Sequence, residues 1–237
     1  MALDTTHRTD LEESMDDFSM DNEALVTALD DISRINQHLG GNAVTVSGVR
    51  ALLKDVPKDS QITIMDFGCG SGDMLRMLSK YGKKNNLNFS LIGIDANEAT
   101  IHHAQKCSVG YDNISYLAED IFLYDFSKNH IDIALITLTL HHFKDEGILK
   151  IMKVLYALVQ KGIVVNDLQR SKIAYRLFQA IIFIFRLDKM TADDGLISIL
   201  RGFKKQDLVR YSKTLNFTKY SIKWKWAFRY QWIIEKI

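Results

Sequence analysis

The sequence has little proline, little cysteine and almost no net charge, and each shortage excludes a class of protein. Its 237 residues include one proline and two cysteines, Cys69 and Cys107. Two cysteines do not make the disulfide framework of small secreted domains, so we expect a reducing, cytoplasmic setting. The 30 basic and 29 acidic residues give a net charge of +1, which argues against a nucleic-acid partner, since such proteins carry an extended basic surface.

Long apolar runs are also missing. The most apolar stretch, residues 173–185, is shorter than the roughly 20 residues that cross a bilayer, so no transmembrane segment is predicted. The polar and acidic start of the chain does not resemble a signal peptide. Hydrophobic residues make up 47% of the chain and charged residues 25%, a composition that predicts one α/β domain with additions.

Three glycines at alternate positions are the most informative pattern that is present. Gly68, Gly70 and Gly72 follow Asp66 and the apolar run 62–65. This spacing predicts a strand, a tight loop whose N–H groups lie close to a ligand, and a helix. The glycine spacing differs from that of dinucleotide-binding proteins, and no Lys-Ser or Lys-Thr pair follows as in a P-loop. Asp66 favours a cationic ligand. The alternative interpretation of the whole motif is a glycine-rich turn in an unrelated α/β protein.

Acidic residues follow the next two predicted strands. The run 88–94 ends at Asp95, about 20 residues past the glycine loop, where a carboxylate can accept hydrogen bonds from ribose hydroxyls. The alternative role for Asp95 is to cap the helix predicted over 98–107. The run 114–118 is followed by Asp120 in the same way.

A fourth strand, predicted over 131–136, leads into Thr137 and then into His141 and His142. Ligands of open parallel sheets bind at the carboxyl ends of the strands, so these residues are candidates for the site. Either histidine has a pKa suited to removing a proton near neutral pH. His142 is the preferred base because it lies further from the strand; the alternative is that the pair only shapes the fold.

In this order and spacing, the motifs between residues 62 and 167 resemble those of the class I S-adenosylmethionine-dependent methyltransferases. The resemblance implies that the methionine part of S-adenosylmethionine lies over the glycine loop, that Asp120 accepts from the adenine amino group and that Ile121 packs on the purine. No metal is expected. The cofactor-binding residues that it implies are Asp66, Gly68, Cys69, Gly70, Gly72, Asp95, Ala96, Asp120, Ile121 and Thr137.

The resemblance and the alternation of elements predict a Rossmann-like, doubly wound α/β sheet of seven strands. A helix over 146–158 leads to a fifth strand over 161–167, and a helix over 206–215 precedes the last two strands. These strands, predicted over 217–226 and 228–234, are rich in aromatic and β-branched residues. In the family they form an antiparallel pair at the edge of the sheet.

Residues 1–57 are predicted to form a tail and a helical lid. We expect the first 20 residues to be partly disordered, and the apolar spacing predicts helices over 21–40 and 42–53. The remaining residues, 58–237, form the cofactor-binding domain.

An insertion over 171–203 is predicted to cover the acceptor site. Its apolar helix, 173–185, is expected to be buried. The helix could line the acceptor pocket, pair with a second subunit in a homodimer or contact a membrane surface. In the first case Phe178 and Phe183 would enclose the acceptor. The segment 193–195, Asp-Asp-Gly, predicts a turn.

The chain most resembles the small-molecule branch of the family, which favours O-methylation of a lipophilic phenolic, polyketide-derived or quinone-like acceptor. No Asn-Pro-Pro-Tyr or Asp-Pro-Pro-Tyr sequence follows the fourth strand, which argues against methylation of nucleobase or glutamine amino groups. Two alternatives stay open: a regulatory or accessory module that binds S-adenosylmethionine without turnover, and an NAD-dependent oxidoreductase, which the glycine spacing disfavours.

Overall fold

One mixed β-sheet organises the chain in the computed structural model, which describes residues 3–57, 59–126 and 129–237. Its strands are β1 (Gln61–Phe67), β2 (Asn88–Asp95), β3 (Ile114–Ala118), β4 (Ile131–Thr137), β5 (Val159–Leu168), β6 (Tyr220–Lys225) and β7 (Arg229–Glu235). The strand order is β3-β2-β1-β4-β5-β7-β6. Strands β1 to β5 pair in parallel, whereas β7 is antiparallel to β5 and β6. This confirms the predicted sheet and its antiparallel C-terminal pair.

Helices cover both faces of the sheet and its carboxyl edge. They are α1 (Glu23–His38), α2 (Gly41–Leu52), α3 (Asp73–Asn85), α4 (Glu98–Cys107), α5 (Asp145–Leu158), α6 (Lys172–Phe185), α7 (Lys189–Arg201) and α8 (Lys205–Thr214). Side chains of Asn22, Ser171 and Asp188 accept hydrogen bonds from the first turns of α1, α6 and α7. These polar caps fix where the three helices of the lid and the insertion begin.

Apolar side chains fill both faces of the sheet. On one face, Met65 and Ile136 pack with Leu155 of α5 and Leu208 of α8. On the other, Ile64 packs in a cluster with Leu75 of α3. Because the central parallel strands β1, β4 and β5 are largely buried on both faces, they appear in the sequence as near-continuous apolar runs.

The lid and the insertion pack together over the carboxyl edge. Helix α1 contacts α2, α4 and α7, and α6 contacts α7. The predicted turn over 193–195 is wrong, because this segment lies inside α7. Gly195 is needed there for packing: a Cβ at this position would lie 2.4 Å from the ring of Phe178.

Helix α6 is not the buried helix that its composition predicts. Phe183 is 85% exposed and Ile184 is 69% exposed, and Ala174 is the buried residue of this helix. Helix α6 contacts α7, whereas Phe183 and Ile184 extend into solvent. Among the described residues, no helix is both long enough and apolar enough to cross a bilayer.

The N-terminal tail has little regular secondary structure where the structure describes it, but its side chains make specific contacts with the rest of the chain. A short 3-10 turn covers Ser14–Asp16. Arg8 donates to the backbone oxygens of His141 and Phe143, each at 2.7 Å. Asp194 of α7 accepts from the backbone N–H groups of residues 14 and 15. Polar side chains therefore hold a segment whose sequence lacks an apolar periodicity.

Candidate functional site

A cavity of about 560 Å³ lies where the glycine loop, the strand ends and the covering helices meet. Strand ends and their loops supply one part of its lining: Asp66, Gly68, Cys69, Gly70, Asp95, Ala96, Asp120, Ile121, Thr137, His141 and His142. The tail, α1 and α6 supply apolar side chains that include Met15, Phe18, Leu29, Ile32, Leu177 and Phe178. The structure thus brings together all of the predicted site residues except Gly72.

Gly72 lies outside the cavity lining and serves to begin α3. Its φ of +74° is in the left-handed region, which glycine adopts without strain. A Cβ here would lie 2.0 Å from the Tyr116 hydroxyl oxygen, so a side chain cannot be accommodated. The predicted contact of Gly72 with a cofactor has no support in this geometry. Phe183, expected to enclose the acceptor, also lies outside the lining.

Backbone hydrogen bonds tie the glycine loop to the end of β2. The N–H groups of Gly68 and Cys69 donate to the carbonyl oxygen of Ile94, at 2.9 and 3.1 Å. The N–H of Gly70 donates to Oδ2 of Asp95 at 3.1 Å. The loop and Asp95 therefore form one rigid unit beside the cavity. Cys69 is buried, and burial raises the pKa of its thiol, which supports a packing role.

Three carboxyl groups, those of Asp66, Asp73 and Asp95, lie close together at this end of the cavity. Asp66 is buried, and its Oδ1 has no hydrogen-bond partner among the described residues. Burial, with the charges of Asp73 and Asp95, raises the pKa of Asp66 well above its usual range. Burial also raises the pKa of Asp95, although the N–H groups of Asn97 and Gly70 oppose the shift. A cationic ligand would relieve this repulsion, so the residues fit the ammonium or sulfonium of S-adenosylmethionine.

Asp120 and Asp95 are both held by backbone N–H groups. Oδ1 of Asp120 accepts from the N–H of Phe122 at 2.7 Å, and Oδ1 of Asp95 accepts from that of Asn97 at 3.1 Å. A carboxylate oxygen accepts more than one hydrogen bond, so both groups keep acceptor capacity towards the cavity that they line.

His141 is locked in a buried network. Its Nδ1 donates to Oδ1 of Asp167 at 2.7 Å, and its Nε2 lies 3.7 Å from Oε1 of Glu13. Burial acts to raise the pKa of Asp167, but the charge and hydrogen bond of His141 outweigh it and lower that pKa. A ring that is 2% exposed and fixed in this way is suited to positioning its neighbours.

His142 is more accessible. Its side chain is 26% exposed, and its Nδ1 donates to Oδ1 of Asp16 at 2.6 Å. Burial acts to raise the pKa of Asp16, but hydrogen bonds from His142 and Arg201 hold it well below its usual range. Because a carboxylate can only accept, the bond to Asp16 selects the tautomer in which Nε2 is free to take a proton.

Sequence reasoning missed Glu13, Asp16 and Arg201. Arg201 pairs with both carboxylates and donates to the backbone oxygen of His142. Burial raises the pKa of Glu13, partly offset by His142, Ser198 and Arg201. In the sequence these acids lie in a polar tail, and no local pattern distinguishes them from solvated residues.

One possible metal-ligand atom from each of Glu13, His141 and His142 lies within 4.8 Å of the other two. Nδ1 of His142 already donates to Asp16, and the guanidinium of Arg201 lies 3.4 Å from the Glu13 carboxylate. A fixed cation at the carboxylate opposes a second cation there. We therefore assign this cluster to ion pairing and not to a metal.

The central part of the chain matches a known protein family. Residues 64–162 match the protein family described as "Methyltransferase domain". The match begins in β1 and ends in β5, so it includes the glycine loop, Asp95, Asp120 and both histidines. No curated protein matches the sequence of the chain.

Solved structures of low sequence identity share the fold. The plantazolicin methyltransferase BpumL in complex with SAH is 16% identical with a TM-score of 0.66, over 90% of this chain and 95% of that one. Magnesium protoporphyrin IX methyltransferase from Synechocystis PCC 6803 with bound SAM is 14% identical with a TM-score of 0.57, over 86% and 84%. An O-methyltransferase family protein from Burkholderia thailandensis is 14% identical with a TM-score of 0.65, over 94% and 63%.

Proposed function

We propose that this chain, whose residues 64–162 match the family described as "Methyltransferase domain", uses S-adenosylmethionine to methylate a hydroxyl oxygen of a small lipophilic acceptor of the phenolic, polyketide-derived or quinone-like class. One observation carries the proposal. A single cavity is lined by the carboxylate-rich glycine loop, by a partly exposed histidine and by apolar side chains of α1 and α6.

The residues at the strand ends are assigned to cofactor binding. S-adenosylmethionine supplies an electrophilic methyl group on a positively charged sulfur. Asp66 and the glycine loop would hold its cationic part, Asp95 the ribose hydroxyls, and Asp120 with Ile121 the adenine. The raised pKa of the Asp66 carboxyl supports this assignment, since a cation would replace the missing counter-charge.

His142 is assigned as the proton acceptor for the hydroxyl group. Asp16 holds its Nδ1–H, so the lone pair of Nε2 is the basic site of the ring. Asp16 also stabilises the imidazolium that forms when the ring takes a proton. His141 contacts the same network through Asp167 and Glu13, and we assign it to positioning.

The chemistry of the lining supports a lipophilic acceptor. Met15, Phe18, Leu29, Leu177 and Phe178 offer apolar surface to whatever enters the cavity. Removing apolar surface from water contributes about 25 cal/mol per Å², so an aromatic or polyketide-like molecule gains affinity here without specific polar contacts.

Transfer from methyl-labelled S-adenosylmethionine to a panel of phenols, naphthols and hydroxyquinones tests the proposal. We expect label in the organic product for a subset of lipophilic acceptors and none for the same molecules with the hydroxyl already methylated. Calorimetry run in parallel measures cofactor affinity.

Tight S-adenosylmethionine binding with no transfer to any acceptor would indicate a regulatory or accessory module instead. Tight binding of NAD would overturn the methyltransferase assignment itself.

A further inference from the structure

Exposed apolar side chains surround the mouth of the cavity. Leu177, Ile184 and Trp226 line the cavity and are also 43%, 69% and 61% exposed, so they mark its opening to solvent. Exposed Ile173 and Phe183 lie on the same helix, α6, and exposed Trp224 contacts the cavity-lining Phe228 ring. We call these six residues the apolar rim. Clustered exposed apolar groups of this size mark an interaction surface.

Basic side chains predominate beside the apolar rim, although Asp188, at the start of α7, is an exposed acid next to it. Lys172, Arg176 and Arg186 are exposed on or next to α6, and residues 171–187 contain no acidic residue. Lys223 and Lys225 flank Trp224, and residues 208–234 also lack acids. The whole chain has a net charge of only +1, so this excess is a local property of the rim.

We propose that the apolar rim docks on the surface of a bilayer containing anionic phospholipids, with α6 lying in the interface and the cavity mouth facing the lipid. Helix α6 combines apolar and basic side chains on its outer face, as interfacial helices do. Tryptophan is enriched at the level of the lipid headgroups, where Trp224 and Trp226 would lie.

Charge distinguishes this partner from a second copy of the chain. A symmetric dimer through α6 would bring the same basic side chains of both copies together, which is unfavourable. An anionic headgroup layer supplies the opposite charge and accepts apolar side chains beneath it. A bilayer also concentrates lipophilic molecules at the mouth. That route for the acceptor rests on the proposed function, whereas docking itself does not.

Co-sedimentation with vesicles tests the docking without cofactor or acceptor. We expect the protein to bind vesicles of equal parts phosphatidylcholine and phosphatidylglycerol, and to bind pure phosphatidylcholine much more weakly. Replacing Arg176 and Arg186 by Gln together should lower the partition coefficient about fivefold for each charge removed. The matched control, Lys83→Gln with Lys84→Gln at the end of α3, should leave it unchanged.

The apolar contribution is tested separately. Phe183→Ser should weaken vesicle binding about tenfold or more, because this side chain would leave the lipid interface. Val109→Ser removes an equally exposed apolar residue, 81% accessible, away from α6 and should have no effect.

Three results would overturn the proposal: no binding to anionic vesicles, equal effects of Phe183→Ser and Val109→Ser, or self-association that Phe183→Ser abolishes. Calorimetric binding of S-adenosylmethionine in the same preparations keeps a failure of docking distinct from a failure of the proposed function.

Discussion

Asp95 illustrates how a single residue serves both the fold and the proposed site. Its two oxygens accept from the N–H groups of Gly70 and Asn97, which fixes the glycine loop and the start of α4. The Asp95→Ala variant should weaken S-adenosylmethionine binding by about 1–3 kcal/mol, the scale of hydrogen bonds to a charged group. Calorimetry measures this, with the exposed Asp112→Ala as control. Unchanged affinity for Asp95→Ala would remove the residue from the cofactor site.

Asp66 should couple cofactor binding to pH. Its pKa is raised in the protein by burial and by two neighbouring carboxylates. A bound cation would lower that pKa again, so binding should release protons, and affinity should fall as the pH drops through the raised value. Calorimetry in buffers of different ionisation enthalpy measures the released protons. The product without the sulfonium charge should release fewer, and Asp66→Asn should release none from this site. A pH-independent affinity would contradict the expectation.

His142 carries the prediction on catalysis. If Nε2 removes the hydroxyl proton, His142→Ala should lower turnover by about 10²–10⁴-fold with near-normal cofactor affinity. Turnover per folded molecule is the measurement, beside His141→Ala. A structural histidine would instead lower stability and leave turnover of the folded fraction intact. If neither variant matters, the acceptor enters already ionised or is a carbon nucleophile.

At the scale of elements, α6 has an inner face for the cavity and an outer face without a protein partner. Phe178 lines the cavity and packs over Gly195 of α7, whereas Phe183 points to solvent. This division explains how one apolar helix is only partly buried.

The two phenylalanines form a matched pair for testing the acceptor pocket. Phe178→Ala should change KM and selectivity for acceptors while cofactor affinity stays constant, because the cavity widens only on the acceptor side. Phe183→Ala should change neither for a water-soluble acceptor. Thermal unfolding of both variants shows whether the fold survives. If Phe178→Ala and Phe183→Ala changed acceptor use equally, α6 would affect acceptor use through the stability of the fold and would not form a wall of the pocket.

At the scale of the whole molecule, the N-terminal tail closes the site across elements that are distant in sequence. Glu13 and Asp16 contact Arg201 of α7 and the histidines after β4, and the side chain of Asn97 donates to backbone oxygens of Phe18 and Met20. The tail thereby links the insertion, the segment after β4 and the end of β2.

Removing residues 1–17 should therefore abolish most turnover and lower the free energy of unfolding by more than about 3 kcal/mol, since several hydrogen bonds to charged groups are lost and each contributes about 1.5–3 kcal/mol. Cofactor affinity should change little. The double variant Glu13→Gln with Asp16→Asn in the full chain is the control that separates the carboxylates from the apolar contacts of the tail. Full turnover by the truncated protein would show that the tail is not part of the site.

The sequence alone determined the sheet, the glycine loop and the order of the acids, because these depend on spacings of a few residues. Near-continuous apolar runs and apolar helical faces are local patterns, and glycine is favoured where φ is positive, as at Gly68. The strand order follows from parallel crossovers that allow few alternatives. Boundaries of most elements were accordingly predicted within a few residues.

Only the tertiary structure decided how distant segments meet. The bond between Asp16 and His142 joins residues 126 apart in sequence, and that between Arg201 and Glu13 joins residues 188 apart. Such contacts depend on the path of the whole chain, so a polar tail that looked solvated became part of the site. The segment 193–195 lies inside α7, where Gly195 packs against Phe178, and α6 contacts α7 while keeping Phe183 and Ile184 exposed. Local sequence patterns determine the helices and strands, whereas long-range packing determines which of them are in contact.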